Sequence, residues 1–171
     1  MRFRNLALLA LACTPFLFLI PQGAHAVRQD NLILSSAVEG QILDHGKPVA
    51  GLKVQRIISW NMEAEPRTEI TSTDTEGRYQ FPEVRGAAEF GFLAKLFHVP
   101  TVSIAIYVPI KNVDYLAYIG GRSSYKENVE TGLPQIRMKC DLKNKYMDDG
   151  LLPVIDCEVE KSEERKKLKY D

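Results

Sequence analysis

The chain has 171 residues, of which 45% are hydrophobic and 26% are charged, and its 22 basic side chains are balanced by 22 acidic ones. This balance argues against a nucleic-acid binder, which would carry a basic stripe, and against electrostatic attachment to an anionic membrane. The length suits one domain with a substantial core and is too short for two comfortable ones.

Residues 1–26 have the three parts of a secretory signal peptide. Arg2 and Arg4 give a positive start, residues 6–20 are almost uninterruptedly apolar, and Ala24-His25-Ala26 supplies a small-x-small cleavage pattern. The apolar run is shorter than the roughly 20 residues that a membrane-spanning helix needs. We therefore predict cleavage after Ala26, export to the periplasm of a Gram-negative bacterium, and no membrane span in the mature chain.

Two other interpretations of this segment stay open. It could be retained as a single-pass anchor. Alternatively, the chain could be a lipoprotein, because the sequence up to Cys13 resembles a lipobox. Lipidation at Cys13 would leave residues 14–20 as an exposed apolar stretch, which argues against it.

Cleavage after Ala26 would leave two cysteines, Cys140 and Cys157, and a net charge of about −2. An even cysteine count in an exported protein predicts a disulfide. Both residues lie on the apolar parity of alternating segments, where a bridge between neighbouring strands would be buried. A redox thiol pair is the alternative, but the spacing is far from C-x-x-C.

Apolar and polar residues alternate with a period of two along most of the chain from residue 37 onward, which predicts β-strands. Arg56 interrupts the apolar parity of its strand, and we expect a bulge or a sheet edge there. About eight short strands separated by turn signals predict an antiparallel β-sandwich. The predicted strands fall near residues 38–42, 52–60, 68–73, 78–81, 102–108, 113–119, 136–143 and 155–160.

One segment, residues 87–98, has helical spacing instead, and Pro100 ends it. The predicted helix either caps one end of the sandwich and buries its phenylalanines, or stays exposed as an apolar partner site. Neighbouring tyrosines and an arginine have the composition of an interface. The candidate partner-binding residues are Phe90, Leu93, Phe97, Tyr118, Arg122 and Tyr125.

Two motifs in the first third of the mature chain carry a family likeness. Residues 38–54 read VEGQILDHGKPVAGLKV, and residues 73–81 read TDTEGRYQF. They resemble the opening strands and the hairpin of carboxypeptidase-regulatory-like domains, and Cna-B-type repeats are similar. The resemblance implies a transthyretin-like (prealbumin-type) β-sandwich that stiffens, spaces or docks and does no chemistry itself. The helical segment and the cysteine pair depart from that pattern.

No motif predicts catalysis or metal binding. Asp44, Asp74 and Glu76 offer too few oxygen ligands at fixed spacing for a calcium loop. The mature chain keeps only His45 and His98, in separate segments, and contains no Gly-x-Ser-x-Gly. We therefore expect no cofactor, no metal and no enzymatic activity, with a site assembled from scattered residues as the least favoured alternative.

The sequence thus predicts a signal peptide over residues 1–26, one β-sandwich domain over 27–160 and a charged tail over 161–171. The expected function is binding, with a protein as the partner. An immunity protein against a periplasm-acting toxin is one concrete form of this prediction. A structural or carbohydrate-associated accessory domain of the cell envelope is the alternative.

Overall fold

A computed structural model of the chain describes residues 27–90, 98–148 and 152–167. The predicted signal peptide lies outside these ranges. Within them, no helix is both long enough and apolar enough to cross a membrane. The elements are β1 Val27–Ser35, β2 Ala37–Asp44, β3 Lys47–Pro48, β4 Lys53–Trp60, β5 Arg67–Ser72, β6 Arg78–Phe81, β7 Val84–Phe90, β8 Val102–Ile110, β9 Val113–Arg122, β10 Gln135–Asp148, β11 Leu152–Val159 and helix α1 Glu163–Lys167.

Nine of these strands form one curled sheet in the order β3-β2-β10-β11-β9-β8-β4-β5, with β6 also paired to β2. The remaining two, β1 and β7, form a separate antiparallel ribbon. The all-β prediction is confirmed, but the prediction of a purely antiparallel sheet is wrong. Strands β2 and β10 run parallel, as do β9 and β11. The alternation of apolar and polar residues indicates which face of the sheet each residue occupies. It carries no information on the direction of the neighbouring strand.

The predicted helix over residues 87–98 is wrong in its first part. Residues 87–90 belong to β7, which pairs with β1 from Val84 opposite Ser35 to Phe90 opposite Val27. Burial alternates along β7, with Gly86, Ala88 and Phe90 turned inward. Of these positions, only Phe90 also fits the helical spacing in the sequence, together with Leu93, Ala94 and Phe97. Residues 91–97 lie outside the described part of the chain.

The core consists of two apolar clusters that share strands β4 and β8. The first cluster fills the curl of the large sheet and includes Val54 and Ile106. The second lies under the β1–β7 ribbon and includes Ile58, Trp60 and Ile104. Both β4 and β8 therefore run from one cluster into the other, and they hold the ribbon onto the large sheet.

Arg56 lies between the two clusters and is fully buried. The prediction of a bulge or a sheet edge at this residue is wrong, since β4 pairs in unbroken register with β5 on one side and β8 on the other. Its guanidinium forms an ion pair with Glu69, the residue directly opposite on β5, and donates to the Ser35 hydroxyl at 3.2 Å and the Pro82 carbonyl at 2.8 Å. These partners replace the water that burial removes.

The motif at residues 73–81 forms the turn that the sequence predicts. One carboxylate oxygen of Asp74 accepts from the backbone N–H of Glu76 at 2.9 Å and of Arg78 at 2.8 Å. Gly77 has a φ of 71°, and a Cβ there would lie 2.4 Å from the Ile42 carbonyl oxygen. The Asp74 carboxylate therefore stabilises the turn that places β6 beside β2.

Candidate functional site

The predicted partner-binding residues do not form one exposed surface. Phe90 and Arg122 are each only 3% exposed, whereas Tyr118 and Tyr125 are half-buried. Leu93 and Phe97 lie outside the described residues. The structure therefore places Phe90 in the second cluster and leaves the two tyrosines as the accessible members of the set.

Tyr125 belongs to an aromatic group at the end of the second cluster. Its hydroxyl accepts a hydrogen bond from the Trp60 indole N–H at 3.0 Å and lies 2.9 Å from Nε2 of His98. The His98 ring in turn lies 4.8 Å from the Phe90 ring, measured between centroids. Burial raises the pKa of Tyr125, although the Trp60 hydrogen bond opposes this. The group locks loop residues 98 and 125 onto the ribbon.

Arg122 is held by a buried acidic partner, Glu130, which no sequence motif marks. Its guanidinium lies 2.7 Å from the Glu130 carboxylate, and these two side chains are 0% and 1% exposed. The same carboxylate accepts from the backbone N–H and the hydroxyl of Ser36, both at 2.9 Å. Arg122 also donates to the carbonyls of Ser124 and Lys126. The ion pair thus fixes the loop after β9 against the β1–β2 corner.

Beside this ion pair, a cleft of about 460 Å³ opens between β9 and β11. The two strands are parallel neighbours, yet they pair at one position only, Val154 opposite Leu116. Both strands continue beyond it, β9 to Arg122 and β11 to Val159. The cleft is lined by Leu116, Ala117, Tyr118, Ile119, Gly120, Gly121, Glu130, Thr131, Val154, Ile155, Asp156, Cys157, Val159 and Lys161.

Irregularities on both sides of the cleft explain why the strands separate. In β9, Ala117 has no partner on β8, because Ile106 pairs with Tyr118 and Tyr107 with Leu116. In β10, residues 141–144 lie opposite the single residue Asp156, because Cys140 pairs with Cys157 while Lys145 pairs with Ile155. Bulges bend a strand and increase its local twist. Each bulge lies at the level where β9 and β11 part.

Two groups in the cleft have unusual environments. The Thr131 side chain is buried, and its hydroxyl has no hydrogen-bond partner among the described residues. Tyr118 packs against both core clusters, and burial together with the negative charge of Glu130 raises its pKa to about 12. Tyr118 therefore stays neutral at physiological pH. An unpaired buried hydroxyl is uncommon in folded proteins and calls for an explanation.

The predicted disulfide between Cys140 and Cys157 is confirmed. The two cysteines are directly opposite each other on β10 and β11, with 4.3 Å between their Cα atoms. This spacing matches a pair without mutual backbone hydrogen bonds, where side chains approach most closely. Because Cys157 lines the cleft, the disulfide ties one wall of the cleft to the core of the sheet.

A second concavity, of about 680 Å³, lies on the outer face of strands β6, β2, β10 and β11. We call it the outer groove. Arg137 lies near its centre, 3.6 Å from the Glu39 carboxylate and 3.7 Å from that of Glu160. The charged residues of the outer groove are Glu39, Arg78, Arg137, Lys139, Glu158, Glu160, Lys161 and Lys166. Five basic against three acidic side chains give it a local positive excess on a chain with no net charge.

Within the described ranges, no group of three or more His, Cys, Asp or Glu side chains could hold a metal ion. His45 contacts Asp44 at 2.9 Å on the surface, far along the chain from the aromatic group that holds His98. The structure does not bring these two histidines into one cluster.

Fold and site together define an all-β domain with a curled mixed sheet, a charged outer groove and an open cleft between two parallel strands. Residues 38–145 match the model of a family described as a domain of unknown function (DUF6795), and the chain belongs to that family. The match includes β9, Glu130 and Thr131 but ends before β11. Comparison with curated proteins gave no match.

Proposed function

We propose that this chain is an exported, non-catalytic module that binds a protein partner through the outer groove. The observation that carries the proposal is the alternation of positive and negative side chains across an open, solvent-facing groove on the sheet. Small-molecule sites are enclosed and mainly apolar, whereas complementary charges on an open surface steer and orient protein partners. The positive excess of the groove favours a partner with an acidic face.

The Cys140–Cys157 disulfide supports export to an oxidising compartment, because such bridges are rare in the cytosol. The first partner to test is a toxin that acts in the periplasm. In that case the chain would be the immunity protein that neutralises the toxin. The carboxypeptidase-regulatory-like assignment remains part of the proposal. Its support comes from the two motifs behind the resemblance. Residues 38–54 form most of β2, all of β3 and the start of β4, and residues 73–81 form the turn before β6 and β6 itself.

The test is affinity capture of the tagged full chain from the periplasmic fraction at native expression, followed by quantitative binding of the captured protein. The variant Arg137→Glu combined with Lys139→Glu reverses two charges in the outer groove. We expect it to weaken binding at least tenfold and to reduce the salt dependence, because surface charges at an interface act over a Debye length.

The matched control is Lys53→Glu, which reverses an exposed charge on β4 outside the outer groove. It should leave binding unchanged. Failure to recover a stable protein partner contradicts the proposed function. Equal weakening by the groove variant and by the control contradicts the assignment of the groove.

A further inference from the structure

We propose that the cleft between β9 and β11 binds an extended peptide segment of the partner as an inserted strand. The inference builds on the proposed function, since it assumes that the partner is a protein. It concerns a cleft that adjoins the outer groove and shares only Val159 and Lys161 with it, and it identifies the conformation in which the partner is recognised.

The two walls of the cleft are the edges of strands that already belong to a sheet. Strand β9 is paired on its far side with β8, and β11 is paired on its far side with β10. Past Leu116 and Val154 the near edges of residues 117–122 and 155–159 have no register with each other. An unpaired strand edge presents a row of N–H and C=O groups that favours pairing with another chain. Here two such rows face each other.

The direction of the walls suits a single inserted strand. Because β9 and β11 are parallel, one strand that runs opposite to both can make antiparallel ladders on its two edges at once. Antiparallel pairing is also slightly more stable per residue than parallel pairing. The edge strand β5 at the end of the sheet offers pairing on one side only. The cleft is therefore the better site for strand addition.

The length of the open stretch limits the peptide to a short one. The cleft begins at the Leu116–Val154 pair, and at its other end the Ser162 N–H donates to the Thr131 carbonyl at 3.0 Å. Five residues of β11 lie between these limits, which corresponds to roughly 17 Å of extended chain. On the β9 wall the Tyr118 ring lies over Gly120, since a Cβ there would meet the Tyr118 hydroxyl, and the next residue, Gly121, carries no side chain.

The Thr131 hydroxyl is an independent observation that supports a polar partner in the cleft. Thr131 lines the cleft, and its buried hydroxyl has no partner among the described residues, although the neighbouring Glu130 carboxylate is fully engaged by Arg122 and Ser36. An inserted strand would widen the gap and bring its own polar groups to this hydroxyl. We expect a peptide with a Ser, Thr, Asn or Gln side chain at the position that faces Thr131.

The probe for the test is a displayed library of random linear ten-residue peptides. Peptides are selected for binding to the full chain in its oxidised form, purified as the expressing cell produces it. Selected peptides should slow amide hydrogen exchange within both 117–122 and 155–159, since inserted strands protect the N–H groups that they bond. Thr131→Val, which removes the hydroxyl at constant shape, should weaken these peptides about five- to tenfold. Ile70→Lys on the edge strand β5 should leave their affinity unchanged.

Several results would overturn the inference. Selected peptides could protect residues 67–72 instead of the cleft, or lose affinity with Ile70→Lys and not with Thr131→Val. A library that yields no peptide protecting both walls counts against it equally. If a natural partner binds through the outer groove while the exchange of β9 and β11 is unchanged, the proposed function survives and the strand insertion does not.

Discussion

Within the described residues, the chain contains two parallel strand pairs, one closed and one open. Strands β2 and β10 are in register over seven consecutive pairs, from Ala37 opposite Gln135 to Leu43 opposite Asp141. Strands β9 and β11 have one pair and then separate. Parallel pairing itself is therefore not what opens the sheet, and the cause lies in what flanks each pair.

The closed pair has a regular ladder on its β2 side, while on its β10 side it borders the irregular β10–β11 ladder. Strand β6 pairs with β2 at four consecutive positions, and the Tyr79 ring packs over Gly40. The open pair borders the same irregular β10–β11 ladder and, in addition, contains the bulge at Ala117 in β9. The feature that distinguishes the open pair is therefore the bulge within β9, which leaves both strands of the cleft unbroken.

The largest expected effect tests the ion pair that joins the two regions. Glu130 bonds Ser36, next to β2 of the closed pair, and Arg122 at the end of β9 beside the cleft. Glu130→Ala leaves the Arg122 guanidinium buried without its counter-charge, and we expect a loss of about 3–5 kcal/mol in the free energy of unfolding measured in urea. The exposed Glu127→Ala is the control. Equal losses for the two variants would contradict the role of the ion pair.

The disulfide ties β11 to β10 where the two regions meet. Replacing both Cys140 and Cys157 by serine should lower the free energy of unfolding by about 3 kcal/mol, because the unfolded chain gains entropy when the loop opens. Calorimetry with and without a reductant checks this. The reductant should lower the Tm of the wild type and leave that of the double variant unchanged. A wild type that does not respond to complete reduction would refute the prediction.

Glycines in the two regions should tolerate a methyl group unequally. In the closed pair a Cβ at Gly40 would lie 2.2 Å from the Tyr79 ring, whereas a Cβ at Gly121 beside the cleft meets one carbonyl oxygen, that of Val102, at 3.2 Å. We expect Gly40→Ala to cost about 1–3 kcal/mol by overpacking, and Gly121→Ala to cost less. Thermal unfolding of both variants gives the comparison, and equal costs would show that the closed pair is no tighter.

Tyr79, which is buried, and Tyr118, which is half-buried, predict a loss of stability at alkaline pH. Burial raises the pKa of Tyr79 in the closed region above its ordinary value of 10.0, and burial with Glu130 raises that of Tyr118 beside the cleft to about 12. The folded chain therefore holds both protons more tightly than the unfolded chain. The stabilisation is complete below pH 10 and is lost as pH rises through the folded pKa values.

Unfolding midpoints measured across this alkaline range check the sign. Between neutral and alkaline pH, the free energy of unfolding of the Tyr118→Phe variant should fall less than that of the wild type. The half-exposed Tyr146 provides the control, since Tyr146→Phe should change nothing. If the Tyr118→Phe variant and the wild type lose the same stability at alkaline pH, the titration of Tyr118 is not the cause of the loss.

The smallest expected effect is a gain in stability and not a loss. Thr131→Val removes a buried hydroxyl that has no partner among the described residues, so stability should be unchanged or rise by up to about 1 kcal/mol. Thr73 is the matched control, because its hydroxyl donates to the Val49 carbonyl at 2.6 Å and accepts from the Leu52 N–H at 2.9 Å. Thr73→Val should cost about 1–3 kcal/mol. A comparable loss at both positions would mean that Thr131 is bonded in solution.

Part of the fold follows from local sequence patterns. The alternation places Ile136, Met138 and Cys140 on the core side of β10, as the structure confirms. The Asp74–Gly77 turn is likewise encoded by residues that bond within the turn itself. The sequence predicts the end of the ribbon strand β7 wrongly, because residues 87–90 precede a stretch whose apolar spacing is helical.

The candidate sites depend much less on such patterns. Arg56 stands out in the sequence as a charge on an apolar parity, yet its role requires Glu69, Ser35 and Pro82, which reach it from other elements. Nothing local marks Glu130 or Thr131. A cleft between β9 and β11 could not be anticipated either, because these strands are separated by β10 and neither pattern shows that they become parallel neighbours.

The sequence by itself determined which residues face the core, where the chain turns and which cysteines pair. These properties follow from side-chain periodicity, turn chemistry and cysteine count, all of which act over a few residues or through a single bond. Only the tertiary structure decided the strand directions, the partners of the buried arginines and the gap between β9 and β11. Those depend on how bulged strands pack against one another across long sequence separations, where many arrangements share the same alternation and packing selects one.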